Sequence, residues 1–369
     1  MINSFLDKLN SLKEKNLYRS LTTSSAINAT TIKRQNKKLT SFACNDYFSL
    51  SQNSSVKKAA INAIKKYGVG ARASRYVTGN NELYQKLEKQ IAELKKTDDA
   101  IVFSSGYAAA IGVIPALVEE GDLIIADRLI HSSLIDGAKL SQARFIRFRH
   151  NAISHLEEIL KENRSKFKKC LIITESVFSM DGDLGEISEL LEIVKKYDCF
   201  LLTDYAHDLW ISDKHNDERY IKIGTLSKAV GTLGGYVAAD KITIDYLRNF
   251  AKTAIYSTAL PPAVLAASIA SLKIISKKKL GKRALENAQY FCQLMKLPKA
   301  ESAIVVIIIG DNKKVLEIAK NISNQGFLIS AIRPPTVENG KARLRLTFSS
   351  EYKKAEIKKL ADTLFSIIA

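Results

Sequence analysis

Short apolar runs recur along the middle of the chain, separated by stretches that mix apolar and charged residues at helical spacing. The runs are Ala100-Ile-Val-Phe, Leu123-Ile-Ile-Ala, Phe145-Ile-Arg-Phe, Leu171-Ile-Ile-Thr, Phe200-Leu-Leu-Thr, Tyr220-Ile-Lys-Ile and Tyr236-Val-Ala-Ala. A strand that is apolar nearly throughout has both faces covered, and strands alternating with helices form parallel sheets. The pattern therefore predicts an α/β class, with a mostly parallel central sheet and helices on both faces, over residues 42–256. Residues 1–41 read as an amphipathic helical arm followed by a polar connector rich in Ser, Thr and Asn. After Pro261-Pro262 a long helical stretch leads to Ala303-Ile-Val-Val-Ile-Ile-Ile, a helix from Lys313 to Gln325, strands near Phe327 and Arg343, and a Lys-rich final helix. Residues 257–369 are thus expected to form a smaller α+β domain, with the proline pair breaking regular structure near its start.

Composition narrows the function classes. Of 369 residues, 46% are hydrophobic and 25% charged, as in an ordinary soluble protein. The longest apolar run is a strand's length, too short to cross a bilayer. The N-terminal segment carries an acid and lacks a signal peptide's apolar core, so the cytoplasm is the expected compartment. Four widely spaced cysteines, with no Cys-x-x-Cys pair, argue against a disulfide framework or a metal site. Cys170 and Cys199 begin apolar runs and are expected to be buried thiols. The net charge of +18 admits three readings: a lysine-rich solvated surface, attraction of an acidic or phosphate-bearing partner, or nucleic-acid binding. The last is the weakest, because no nucleic-acid module appears and aromatics are not interleaved with the basic runs.

The candidate chemistry lies at the carboxyl ends of the strands, where such sheets gather ligands. Asp204 closes the run at Phe200, and Thr225-Leu-Ser-Lys228 follows the run at Tyr220. An acid closing one buried strand and a Thr-x-x-Lys after the next meet the needs of a pyridoxal 5'-phosphate (PLP) enzyme. The acid holds a proton on the pyridine nitrogen, the lysine forms the Schiff base, and the threonine helps bind phosphate. Ser104-Ser-Gly-Tyr107 turns from a strand into a helix, whose first N–H groups near Gly106 and Tyr107 favour an anion. Alone that turn is ordinary; upstream of Asp204 and Lys228 it reads as a phosphate site. His131 after a strand is most simply a surface or capping residue, but in this company it is a candidate to stack on the cofactor and move protons. Ser179 and His207 are candidates for hydrogen bonds to the cofactor's phenolic oxygen, with Ser179 otherwise a turn residue. Arg343 and Arg345 flank Leu344, share a strand face and suit a carboxylate, unless that face is an edge open to solvent. Arg333-Pro-Pro-Thr336 is a rigid extended segment that would hold Arg333 and Thr336 at a mouth.

Together these segments resemble the α-oxoamine synthases, a branch of the fold-type-I PLP-dependent transferases. The resemblance runs from about Phe42 to the end of the chain. It is carried by Asn45-Asp-Tyr, Arg75-Tyr-Val-Thr-Gly79, Ser105-Gly-Tyr, Asp127-Arg-Leu-Ile-His-Ser, Val177-Phe-Ser-Met-Asp-Gly-Asp, Asp204-x-Ala-His, Thr225-Leu-Ser-Lys and Tyr256-Ser-Thr-Ala-Leu-Pro-Pro. Ile332-Arg-Pro-Pro-Thr-Val and Ala342-Arg-Leu-Arg-Leu-Thr are similar to the branch that serves biotin biosynthesis. Two departures stand out. The family's glycine-rich loop after Asp-x-Ala-His is replaced by Asp208-Leu-Trp-Ile-Ser-Asp-Lys in a shortened 208–224 segment, and Gly68-Val-Gly-Ala-Arg-Ala-Ser-Arg75 is poorer in glycine.

The resemblance implies decarboxylative condensation of L-alanine with a pimeloyl thioester, carried by coenzyme A or by acyl carrier protein. A relative using glycine or serine with another acyl-CoA is the alternative. It makes Lys228 the cofactor lysine and Asp204 the pyridinium partner. His131 stacks on the ring, Ser179 and His207 meet the phenolic oxygen, and Gly106, Tyr107 and Thr225 contact the cofactor. Thr258 would reach the phosphate of the neighbouring subunit in a homodimer with shared sites. Arg345 would bind the amino-acid carboxylate, with Arg19, Arg333, Thr336 and His131 facing substrate.

Overall fold

The computed structural model describes residues 1–208 and 215–368. Helix α1 (Ile2–Glu14) precedes three short strands, β1 (Ser24–Ala26), β2 (Thr31–Arg34) and β3 (Lys37–Ser41). Helices α2 (Ser54–Tyr67) and α3 (Glu82–Lys95) lead into β4 (Asp99–Phe103), α4 (Gly106–Leu117), β5 (Leu123–Asp127), α5 (Ser132–Ser141) and β6 (Arg144–Phe148). The alternation continues through α6 (Ile153–Asn163), β7 (Cys170–Glu175), α7 (Ile187–Lys196), β8 (Phe200–Asp204), β9 (Tyr220–Thr225) and β10 (Gly235–Ala239). Helices α8 (Lys241–Phe250), α9 (Lys252–Ile255), α10 (Pro262–Lys277) and α11 (Leu280–Met295) follow. The remainder is β11 (Ile304–Gly310), α12 (Asn312–Asn324), β12 (Phe327–Leu328), β13 (Ser330–Ile332), β14 (Ala342–Thr347) and α13 (Lys354–Ile368).

Two compact units result. One comprises Leu50–Ser179 and Asp183–Gly281; the other comprises Met1–Ser49, Met180–Gly182 and Lys282–Ala369. The sequence placed divides near residues 41 and 256, whereas the compact units change over near 49 and 281. The shift at the second divide has a packing cause: α10, opened by Pro262 at its first turn, lies against α2 and α3 and buries Leu265 and Leu272 there.

The seven apolar runs are the seven strands of one sheet in the larger unit, in the order β4-β10-β9-β8-β7-β5-β6. Strands β9, β8, β7, β5 and β6 are parallel to one another, and β10 runs antiparallel to both β9 and β4. Alternate residues of each central strand serve opposite faces. Ile124, Ala126, Leu171 and Ile173 pack with Val113 of α4 and Leu134 of α5. Their neighbours Leu123, Ile125, Cys170 and Ile172 pack with Leu156 of α6 and Leu190 of α7. Both faces being apolar is what erased the alternation from the sequence. Each leucine or isoleucine among them contributes roughly 1.5–3 kcal/mol by leaving water.

Edge strand β4 would leave backbone groups unpaired on its outer side, and side chains fill them. Glu88 Oε1 accepts the N–H of Val102 at 2.8 Å, Arg75 donates to its carbonyl at 3.2 Å, and Arg248 donates to the carbonyl of Ala100 at 3.1 Å. Arg75 and Glu88 form a two-pronged ion pair at 2.6 and 3.1 Å, with the guanidinium stacked over the ring of Tyr84.

In the smaller unit, antiparallel strands β11-β14-β13 pack with α11, α12 and α13 around Phe291, Ile318, Leu344, Phe348 and Leu360. The connector expected before residue 42 instead contains three strands, which with β12 make a four-stranded sheet ordered β1-β2-β3-β12, β12 running parallel to β3. Phe42 stacks on Tyr352 in that unit's core.

Candidate active site

Five strands of the larger unit bring chemistry to one place. Strands β7 and β8 end in the same pair of residue types, Thr174-Glu175 and Thr203-Asp204, and their register sets Glu175 beside Asp204. Strand β9 ends at Thr225, β5 leads to His131, and β4 leads to the N-terminus of α4. A cavity of about 220 Å³ lies at these ends. It is lined by Gly106, Tyr107, His131, Ser179, Asp204, His207, Thr225 and Lys228, every cofactor residue expected from sequence except Thr258. Thr258 is exposed and bridges to Ser74 in the same unit.

One end of the cavity suits an anion. Ser105 caps α4, its hydroxyl accepting the N–H of Ala108 and its carbonyl that of Ala109. The N–H groups of Gly106 and Tyr107 in the first turn have no intrahelical acceptor. A side chain at Gly106 would close the space: its Cβ would stand 3.3 Å from that of Thr225. The Thr225 hydroxyl lies 2.8 Å from that of Ser227 and donates to the Gly234 carbonyl at 2.9 Å. Tyr107 is fixed by its hydroxyl, which donates to Asp136 at 2.9 Å.

The other end carries the titrating groups. Lys228 Nζ lies 2.7 Å from His207 Nε2. Burial pushes the Asp204 carboxyl upward, the Lys228 charge opposes that rise, and the backbone N–H of Ala206 bonds Oδ1 at 2.8 Å. Burial drives Glu175 well above the usual carboxylate range, and the charge of Asp204 adds to the effect. Two adjacent buried acids do not both ionise, so Glu175 keeps its proton more readily while Asp204 carries the charge.

His131 N-caps α5, and Nδ1 accepts the backbone N–H of Ser133 at 3.2 Å while lying 2.8 Å from that residue's hydroxyl. A backbone N–H only donates, so Nδ1 bears a lone pair and the proton of the neutral ring sits on Nε2. Desolvation lowers the pKa of this imidazole and favours that neutral form. The backbone N–H of His131 donates to Glu175 at 2.6 Å.

Sequence reasoning missed Glu175, Ser133 and Ser227. For Glu175 a signal existed, since its strand ends in the same Thr-acid pair as the strand of Asp204. The hydroxyls of Ser133 and Ser227 are indistinguishable in sequence from other turn serines.

Four predicted substrate residues lie in the smaller unit. Arg19 donates to Thr336 Oγ1 at 3.3 Å and to the Pro334 carbonyl at 3.4 Å, and Arg333 donates to the Asn16 carbonyl at 2.6 Å. Arg345 is buried on β14 and donates to Asn45 Oδ1 at 3.3 Å. Arg343, on the same strand face, is committed to an ion pair with Asp181 at 2.5 Å and to the Met180 carbonyl. The two arginines expected to act as a pair thus have different partners, an acid for Arg343 and an amide for Arg345. Residues 209–214 of the departing loop lie outside the described residues.

A buried acid, a lysine and a helix N-terminus in one cavity fit a phosphorylated pyridine aldehyde. The first turn of α4 would take the phosphate, Asp204 a ring cation, and Lys228 the aldehyde. The sequence profile of the aminotransferase class I and II family matches residues 37–364, and the chain belongs to that family, as a PLP-dependent enzyme of fold type I. The 8-amino-7-oxononanoate synthase of Beijerinckia indica subsp. indica is 43% identical over 367 residues, covering 97% of this chain and 95% of that protein. The serine palmitoyltransferase structure of Sphingomonas wittichii superposes with a TM-score of 0.92 at 25% identity, covering 99% of this chain and 96% of the other. That of 8-amino-7-oxononanoate synthase from Francisella tularensis gives 0.74 at 27%, with coverage of 89% and 98%. Within the family, the chain is a PLP-dependent acyltransferase of the α-oxoamine synthases.

Proposed function

We propose that the enzyme condenses L-alanine with a pimeloyl thioester to give 8-amino-7-oxononanoate, carbon dioxide and a free thiol, a step of biotin biosynthesis. The shared cavity of Asp204 and Lys228 supports the cofactor chemistry. The substrates rest on the names of near-full-length relatives. Bound PLP supplies an aldehyde for amines and a ring that accepts electron density.

The chain's residues do the rest. Lys228 would hold the aldehyde of bound PLP, and its Nζ would be the base that takes the Cα proton of alanine. Asp204 holds the proton on the ring nitrogen throughout. Ser179 and His207 bond the phenolic oxygen, while Thr225 and the amides of Gly106 and Tyr107 hold the phosphate. Arg345 takes the alanine carboxylate. When Cα attacks the thioester carbonyl, the Nε2 proton of His131 is the donor to the developing oxyanion. The thiol departs, the bond from Cα to carboxylate breaks, and Lys228 returns a proton to Cα.

Arg19, Arg333 and Thr336 face the acyl donor in this reading, and the +18 charge suits either a coenzyme A thioester or an acidic carrier protein. The protein acts as a cytoplasmic homodimer in which exposed Thr258 serves the neighbouring subunit's phosphate. Among the described residues, no helix is long and apolar enough to cross a membrane.

Supplying alanine with pimeloyl-CoA or pimeloyl-acyl carrier protein and weighing the product tests the assignment. A Lys228→Ala enzyme should lose both turnover and the cofactor's lysine-bound visible absorbance, and near-normal turnover in that variant would defeat the scheme. The similarity to serine palmitoyltransferase favours one second reading, a sister synthase using serine or glycine. Comparing the three amino acids at saturating donor separates the two.

A further inference from the structure

His150, just beyond β6, has a place in the larger unit that the mechanism above does not use. Its Nδ1 lies 3.1 Å from both carboxylate oxygens of Asp127, and its Nε2 lies 2.6 Å from Oδ2 of Asp183. Carboxylates only accept hydrogen bonds, so satisfying both through one imidazole needs a proton on each ring nitrogen. The ring also meets Phe178 edge-on at 4.4 Å between centroids.

Each acid fixes a different turn at the cavity. Asp127 is fully buried at the end of β5, and its oxygens accept the N–H groups of Leu129 and Asn151, each at 2.8 Å. That turn delivers His131. Asp183 closes the other turn, its carbonyl accepting the N–H of Phe178 at 3.0 Å, next to Ser179. Val177 and Leu184 bridge across the base of the same turn. His150 bonds both acids through its ring, beside Asn151, whose amide donates to Asp183 at 3.4 Å and to the Leu184 carbonyl at 2.8 Å.

We propose that His150 is a positioning residue: through Asp127 and Asp183 it ties the turn carrying His131 to the turn carrying Ser179, and so sets these two groups against the cofactor. Burial alone would lower its pKa, but the bonds and charges of the two carboxylates outweigh that and raise it to about 10, so the tie is cationic across the physiological range. The inference rests on the reading of His131 and Ser179 as cofactor contacts. Its tests need no acyl substrate, so an error in substrate assignment leaves them unaffected.

His150→Phe keeps a ring against Phe178 and removes both bonds. In the cofactor-free full-length protein, hydrogen exchange at the amides of Leu129 and Phe178 should accelerate by about tenfold or more, because each opens locally. Exchange at Ile124 within β5 should stay as in the parent. With PLP bound, the visible circular-dichroism band of the cofactor should lose intensity. In the assay that identifies the substrates, kcat should fall roughly 10- to 100-fold, with less change in the KM for the amino acid, as for misplaced groups. Asp183→Asn cuts only one arm, so the amide of Phe178 should quicken while that of Leu129 does not; this variant decides the matter if His150→Phe does not fold. Unchanged exchange at both amides in His150→Phe, or an equal rise at every core amide including Ile124, overturns the proposal. So does an unaltered cofactor band.

Discussion

Replacing Glu88 by alanine should destabilise the larger unit far more than loss of a surface ion pair would. The side chains of Arg75 and Glu88 are only 13% and 7% exposed, so the variant leaves a guanidinium in a largely dry site with its carboxylate gone. Breaking a buried pair from one side costs about 3–5 kcal/mol. The same change strips the Val102 N–H of its acceptor, a penalty of about 1–3 kcal/mol for an orphaned backbone donor. The two overlap, because water entering the vacated volume relieves both, so a loss of roughly 4 kcal/mol is expected against a typical total of about 5–15. Urea unfolding at fixed protein concentration, followed by far-ultraviolet circular dichroism, measures it. The double variant Arg75→Met with Glu88→Leu removes the stranded charge but still leaves the N–H and carbonyl of Val102 without their side-chain partners, so it should recover only part of the loss. A Glu88→Ala protein within about 1 kcal/mol of the parent would mean that the pair behaves as a solvated one and that the shielding of β4 has been misjudged.

Three further outcomes follow from the site. Asp204→Asn should still bind PLP, yet lose about a hundredfold or more in kcat because the ring nitrogen no longer keeps its proton; cofactor titration by absorbance and steady-state rates check both halves. Gly235→Ala places a Cβ 2.2 Å from the Ser105 carbonyl and 2.7 Å from the Gly106 nitrogen. It should cost about 1–3 kcal/mol through overpacking and weaken PLP binding, read from urea midpoints and a fluorescence titration. The folded pKa of His150, about 10, lies above the ordinary histidine value near 6.5. Its contribution is then complete below about pH 6.5 and declines as pH rises through about 10. Urea midpoints should fall over that window more steeply in the parent than in His150→Phe; identical slopes would contradict the assignment.

The seven strands of the large sheet were legible because each is an apolar run of strand length, and their ends led to Asp204, Lys228 and His131. The orientation of β10 was not, because Tyr236-Val-Ala-Ala reads the same in either direction. Strands β1 to β3 escaped notice because β1 is wholly exposed, the turn joining β2 to β3 is Gln35-Asn36 without a glycine, and the second neighbour of β3, β12, lies some 290 residues away. Arg343 and Arg345 looked equivalent in sequence; only the fold brings Asp181 to one of them. His150 gave no hint of its place, since the acids it joins arrive from the end of β5 and from the turn after β7.

The make-up of the smaller unit bears on how the protein is synthesised. Strand β3 leaves the ribosome some 290 residues ahead of its neighbour β12, and Phe42 waits as long for Phe348 and Tyr352. Until then the first 49 residues are an unfinished half, with exposed strand edges open to chaperones or to errant pairing. The stretch from Leu50 to Gly281 is nearly continuous and able to condense meanwhile. Shortening the chain from its far terminus is therefore expected to unravel its beginning.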